Sequence, residues 1–169
     1  LTPAEPELYW GETSEVQDVV CRFRGDIDYE PGEVSCHFIL VPENRERPDS
    51  RMIRLHFVKI AAKNEEERRE DPVVYLTGGP GAEASYYVER FLDHGLVETR
   101  DLYVLEQRGI GDSGDFCDKF DAVDRRFIST LTVEEGQEEA ARRMGACFEQ
   151  AAARGVDLTA YNTVENARD

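Results

Sequence analysis

Two short apolar runs, each broken by a glycine-rich turn, constrain this chain more than anything else in it. The first is Asp71 to Gly81, read as Asp-Pro-Val-Val-Tyr-Leu-Thr-Gly-Gly-Pro-Gly. Val73 to Leu76 is β-branched and aromatic, bounded by Pro72 and by a Gly/Pro cluster, the pattern of a buried strand that ends at Thr77. Gly78 and Gly79 leave the main chain bare, and Pro80 stiffens the turn. Such a turn can aim N–H groups at an anion. The second run is Arg100 to Gly114, in which Leu102 to Leu105 leads into Gly109-Ile110-Gly111-Asp112-Ser113-Gly114. Between the two, Ala84, Tyr87, Val88, Phe91 and Leu92 form the apolar stripe of a helix expected over Ala84 to Leu96, with Gly95 as its stop. Strand, helix and strand of this length make a βαβ unit over 71–114. Both turns then fall on one edge of a parallel sheet, where open α/β folds place their ligands.

A chain of 169 residues suits one domain. Its charge is one-sided, 20 Lys and Arg against 36 Asp and Glu for a net −16, which argues against nucleic acid as a partner. The acids are scattered and show no EF-hand spacing, so they read as solvated surface, and neither metal nor cofactor is expected. No run of about 18 apolar residues is present, so no membrane span is expected. The first residue is Leu1, which suggests a processed start.

Four cysteines stand at Cys21, Cys36, Cys117 and Cys147 without C-x-x-C spacing. A zinc site is therefore disfavoured, and of three connectivities the expected one is Cys21 to Cys36 with Cys117 to Cys147, because each pair flanks a single polar excursion. Closing the first loop is worth ~3 kcal/mol on chain-entropy grounds. Disulfides imply export to a secreted or periplasmic location, the alternative being four buried thiols in a cytosolic protein.

Along the chain, residues 1–15 read as an extended arm that docks Tyr9 and Trp10. Residues 16–62 hold the antiparallel strands: an alternating Val19 to Arg24, a second strand over Ser35 to Val41, and a third over Met52 to Ala62 with a phase shift near Val58. Lys63 to Glu70 is almost pure charge and reads as a solvated connection. A helix over 132–155 has Thr132 as N-cap, Glu135 closing a capping box and Gly155 as its end; Ala140, Met144, Cys147, Phe148 and Ala151 share its inner face, with Met144 and Phe148 as core. Asn162 or Thr163 caps a further helix that stops at Asp169, from which more chain is expected downstream.

Several motifs are decoys. Gly109 to Gly114 matches G-x-G-x-x-G, but Asp-Phe-Cys-Asp-Lys-Phe-Asp follows where a phosphate-binding helix should start. No complete G-x-S-x-G nucleophile elbow occurs in the chain. His37, His56 and His94 are better explained structurally than as members of a Ser/His/Asp set, and none is expected to assemble; His94 beside Gly95 suits a helix C-terminus.

Thr77-Gly78-Gly79-Pro80-Gly81, followed by Glu106-Gln107-Arg108-Gly109-Ile110-Gly111-Asp112-Ser113, resembles the His-Gly-Gly-Pro-Gly and Asp-Gln-Arg-Gly-x-Gly-x-Ser pair of the proline iminopeptidase and tripeptidyl aminopeptidase family of α/β-hydrolases. Cys36 to Arg45 looks like the leading strand and loop of exported members, and Tyr161 to Asp169 like the helix before their nucleophile strand. The resemblance implies an α/β fold, the N-terminal part of an α/β-hydrolase, with antiparallel strands leading into a parallel sheet flanked by helices. It implies a serine hydrolase cleaving peptide, or related amide and ester, bonds through an acyl-enzyme, most often from a free N-terminus. Gly78 or Gly79 would donate an oxyanion-hole N–H, while Arg108, Asp112 and Ser113 would support the neighbouring loop. Thr77 replaces the family's His and Glu106 its Asp. The triad and lid would lie downstream, so this chain alone is expected to be inactive and to need the C-terminal part of the hydrolase, in the same or a cleaved chain. The alternative is a noncatalytic interaction scaffold derived from a hydrolase, with a dinucleotide-binding domain third.

Overall fold

The computed structural model describes residues 15–23, 25–79, 81–114 and 130–169. Apart from Glu15, the expected N-terminal arm lies outside the described residues, as does Pro80. Five strands form one mixed sheet in the order β1-β2-β3-β5-β4: β1 is Val16–Val19, β2 Val34–Pro42, β3 Met52–Ile60, β4 Val73–Tyr75 and β5 Leu102–Leu105. The pairs β1/β2, β2/β3 and β3/β5 are antiparallel, and only β4/β5 is parallel. Antiparallel strands therefore do lead into a parallel pair, the arrangement of an α/β class.

Alternation along the strands sorts the side chains onto two faces. Val34, Cys36, Val58, Ile60, Leu102 and Val104 share one face, and Ala84, Val88, Leu92 and Val97 from the crossover between β4 and β5 pack on it to make the core. The crossover is not the single helix that its periodicity predicts. A 3₁₀ turn at Ala84–Tyr87 runs into α1, Val88–Leu92, and a second turn at Gly95–Glu98 precedes β5. His94 caps the start of that second turn by accepting from the Leu96 N–H.

One strand expectation needs correction, and the phase shift in another is a change of buried face. β1 ends at Val19, before most of the alternating Val19 to Arg24 run, and its residues are exposed or half-buried, so core periodicity carries little signal there. The phase shift near Val58 is not a backbone irregularity. Register runs unbroken from Val34 opposite Ile60 to Pro42 opposite Met52. Leu55 and His56 are both buried because each face of β3 is covered there.

The longest helix, α2, spans Val133–Ala153 and opens with the Thr132/Glu135 capping box. Cys147 and Ala151 are its buried residues, but Met144 and Phe148 are 45% and 49% exposed, so they are not core; no described element covers that part of the helix. Residues 63–70 are exposed as expected yet not loosely held: the Lys63, Asn64 and Arg69 amides donate to the carbonyls of Val97, Glu98 and Thr99. Asn162 caps α3, Thr163–Arg168.

Cys21 and Cys36 form a disulfide. Cys147 is also disulfide-bonded, whereas Cys117 lies outside the described residues. Among the described residues no helix is long and apolar enough to cross a membrane.

Because Ile60 is fully buried between the sheet and the crossover, Ile60→Ala is expected to cost about 2–5 kcal/mol. Val20→Ala, at a side chain 83% exposed, should stay within about 0.5 kcal/mol. Denaturant midpoints at constant m-value check both.

Candidate functional site

β4 and β5 are parallel neighbours, so the turns that follow them stand side by side at one sheet edge. After β4, Gly79 takes φ +141°, and a Cβ there would sit 3.2 Å from the Ala82 amide nitrogen. Gly78 and Gly79 are exposed, and among the described residues neither amide N–H has a hydrogen-bond partner. Both glycines lie exposed just beyond the end of a strand.

Three consecutive side chains after β5 hold the edge together. Gln107 Nε2 donates to the Thr77 carbonyl at 3.3 Å, tying the second loop to the glycine turn. Glu106 is fully buried, and its carboxylate accepts the Ala84 and Ser85 amides at 3.1 and 2.9 Å. The 3₁₀ turn at Ala84 has no side-chain cap of its own, so Glu106 supplies the acceptor for its orphan donors. Gly111, at φ +53°, follows from this: a Cβ there would lie 3.2 Å from Glu106 Cδ and Oε2 and from Glu83 Cγ. Sequence reasoning treats Glu106 only as a replacement for aspartate and misses this capping role. Its signal is an acid placed directly after a buried strand and before a glycine loop.

Arg108 points the other way into a second network. Its side chain is 0% exposed. Nε and Nη2 donate to the two Asp169 carboxylate oxygens at 2.7 and 2.6 Å, and Nη1 donates to the Glu43 and Ala160 carbonyls. Burial disfavours this cation, yet hydrogen bonding to Asp169 outweighs it and raises the guanidinium above its ordinary pKa. Glu43, also buried, accepts from Arg51, the Asp157 amide and Tyr161 Oη. Burial raises its carboxyl, but those bonds prevail and hold it below the usual carboxylate range. Burial and Glu43 push the Tyr161 phenol up to about 12, so it remains a donor. Glu165 is likewise lowered, burial being outweighed by Arg45 and Arg168.

Ser113 is buried in the second loop; its Oγ accepts from the His56 N–H at 2.7 Å and donates to the Glu106 carbonyl at 3.0 Å. Asp112, by contrast, is exposed and forms no hydrogen bond to a described residue. His56 lies beneath the loop with Nδ1 unpartnered among the described residues, and burial lowers its pKa against the pull of Asp112 and Glu106.

The histidines require one further correction. A serine, a histidine and an aspartate do come together, away from the glycine turns: His37 Nδ1 lies 2.8 Å from Asp18 Oδ1, and His37 Nε2 lies 2.8 Å from Ser35 Oγ. The set is invisible to motif spacing because Asp18 reaches His37 only through the β1/β2 register. Among the described residues no group of acidic, histidine or cysteine side chains could hold a metal ion.

Arg108→Met is expected to destabilise by about 3–5 kcal/mol, since it removes the two-pronged donor to the buried Asp169 carboxylate, to which Arg45 supplies only a single bond, and takes a donor from the Glu43 and Ala160 carbonyls; denaturant unfolding checks this. Glu43 and Glu165 have folded-state pKa values below their unfolded ones. The stability they contribute is therefore complete above the usual carboxylate range and is lost as pH falls through their folded values. Below about pH 4, amide exchange should accelerate in 157–169 before it does in β2 and β3. Compared with known proteins, the chain matches no family model and no curated protein sequence.

Proposed function

We propose that the chain is the oxyanion-turn segment of a serine hydrolase, an aminopeptidase-like α/β-hydrolase that cleaves peptide or related amide and ester bonds through an acyl-enzyme. The observation that carries this reading is the pair of exposed glycines, Gly78 and Gly79, whose amides have no partner among the described residues, at the end of a parallel strand braced by Gln107 and Glu106. Donors fixed before the reaction stabilise a tetrahedral oxyanion without reorganising, an effect worth about 3–4 kcal/mol per donor where measured in such mechanisms. The turn needs no side chain for this task. Arg108 and Ser113 support the neighbouring loop through buried bonds, and Asp112 stands on its outer surface.

The nucleophile, acid and general-base histidine come from outside residues 1–169. Two observations support that division. The sequence has no G-x-S-x-G, and the one Ser/His/Asp set among the described residues lies on β1 and β2 rather than beside the turn. A peptide substrate and the C-terminal part of the hydrolase are the corresponding partners. The Cys21–Cys36 disulfide supports a secreted or periplasmic location.

Treatment of the purified protein with a fluorophosphonate, followed by intact-mass measurement and peptide mapping, tests the reading. The expected adduct lies on a serine outside residues 1–169, in a longer form or a second chain. Gly79→Ala should slow that labelling by about 10²-fold or more, because its Cβ forces the turn to reshape. Absence of an adduct outside 1–169 would leave the noncatalytic scaffold as the better description.

A further inference from the structure

We propose that Ser35 is a base-activated acyl acceptor, a second reactive centre built across β1 and β2 and independent of the glycine turns. Ser35 and His37 are two residues apart on β2 and so share one sheet face. Asp18 stands directly opposite His37 on β1. Its carboxylate, 2.8 Å from Nδ1, can only accept, so Nδ1 carries the ring proton and the Nε2 lone pair faces the Ser35 hydroxyl at 2.8 Å. This is the arrangement in which a histidine takes a proton from a serine while a carboxylate fixes its tautomer.

The imidazole is held on a third side as well. Phe57, opposite His37 on β3, stacks on the ring with centroids 4.9 Å apart and planes 22° apart. Ring rotation would break all three contacts. The site remains open to solvent from the β1 side, where the Asp18 side chain is 90% exposed while that of His37 is 16% exposed. Lys59 stands opposite Ser35 in the β2/β3 register, with its ammonium paired to Asp101 at 3.0 Å.

The chemistry closes with water alone. The Ser35 oxygen adds to the acyl carbon of an ester as its proton passes to His37 Nε2. The tetrahedral adduct expels the alkoxide or phenoxide, which takes that proton, leaving a serine ester and a free alcohol or phenol. Water, deprotonated by the same nitrogen, then cleaves the serine ester to a carboxylic acid and restores the hydroxyl. Aryl oxides are weak bases that leave without strong oxyanion stabilisation, so the matching substrates are activated aryl esters rather than peptide amides.

The test is 4-nitrophenyl acetate mixed with the purified protein, read as nitrophenolate release and as peptide mass. The expected result is a burst of release and one acetyl group on the peptide containing Ser35. Ser35→Ala should abolish that acetylation, and His37→Gln should slow it by about 10²-fold. Asp18→Asn, at an exposed side chain that the fold does not need, should slow it by at least about tenfold. Acetyl groups found only on lysines, or Ser35 acetylation at an unchanged rate in His37→Gln, would overturn the proposal. Equal thermal midpoints confirm that each variant is folded. An adduct on Ser35 and an adduct outside 1–169 are separate signals, so this centre and the oxyanion turn stand or fall independently.

Discussion

The Arg108 guanidinium, fully buried, is the constraint on which the sheet edge depends. A buried cation costs several kcal/mol unless its hydrogen bonds are met, and here they are met by groups from three distant parts of the chain: Glu43 after β2, Ala160 before α3, and Asp169 at the far end of α3. Once Arg108 is placed, its neighbours have little freedom. Gln107 is turned toward the glycine turn and Glu106 toward the crossover, so one tripeptide fastens the turn, the first helical layer and the C-terminal segment. The edge behaves as one unit rather than as two loops that happen to be close.

That unit explains which parts of the architecture were legible beforehand. Local signals held: the turns after β4 and β5, the Thr132/Glu135 box and the Cys21–Cys36 pairing depend on residues whose conformational or covalent demands are written into short stretches. Features that depend on register or on distant burial were not legible. Asp18 meets His37 only because Val19 pairs with Cys36, and Glu106 caps a turn some twenty residues earlier. Met144 and Phe148 show the opposite failure. An apolar helical stripe reports what a helix could bury, whereas burial depends on a partner surface, and no described element provides one there.

The sheet is unequally protected along its width. β2, β3 and β5 are interior strands, while β4 is a three-residue edge with Val74 and Leu76 more than half exposed beside the glycine turn. A short edge strand limits adventitious pairing, yet the apolar side chains give that side of the turn some exposed hydrophobic surface. Two exposed hydrophobic side chains thus stand next to the glycine amides that have no partner among the described residues.

The disulfide has a consequence beyond stability. β1 is only four residues long, largely solvated and paired on one side alone, so its far end is held by the Cys21–Cys36 bond together with the packing of Val19 and Phe23 against the core. Asp18 sits three residues from that bond, and its contact with His37 lasts only while β1 stays zipped. Reducing the disulfide would remove one tie on that strand while leaving the β1/β2 register and the Ser35 and Phe57 contacts of the ring. The Asp18–His37 contact is thereby backed by a covalent bond whose sulfurs lie on the opposite face of the sheet from the ring.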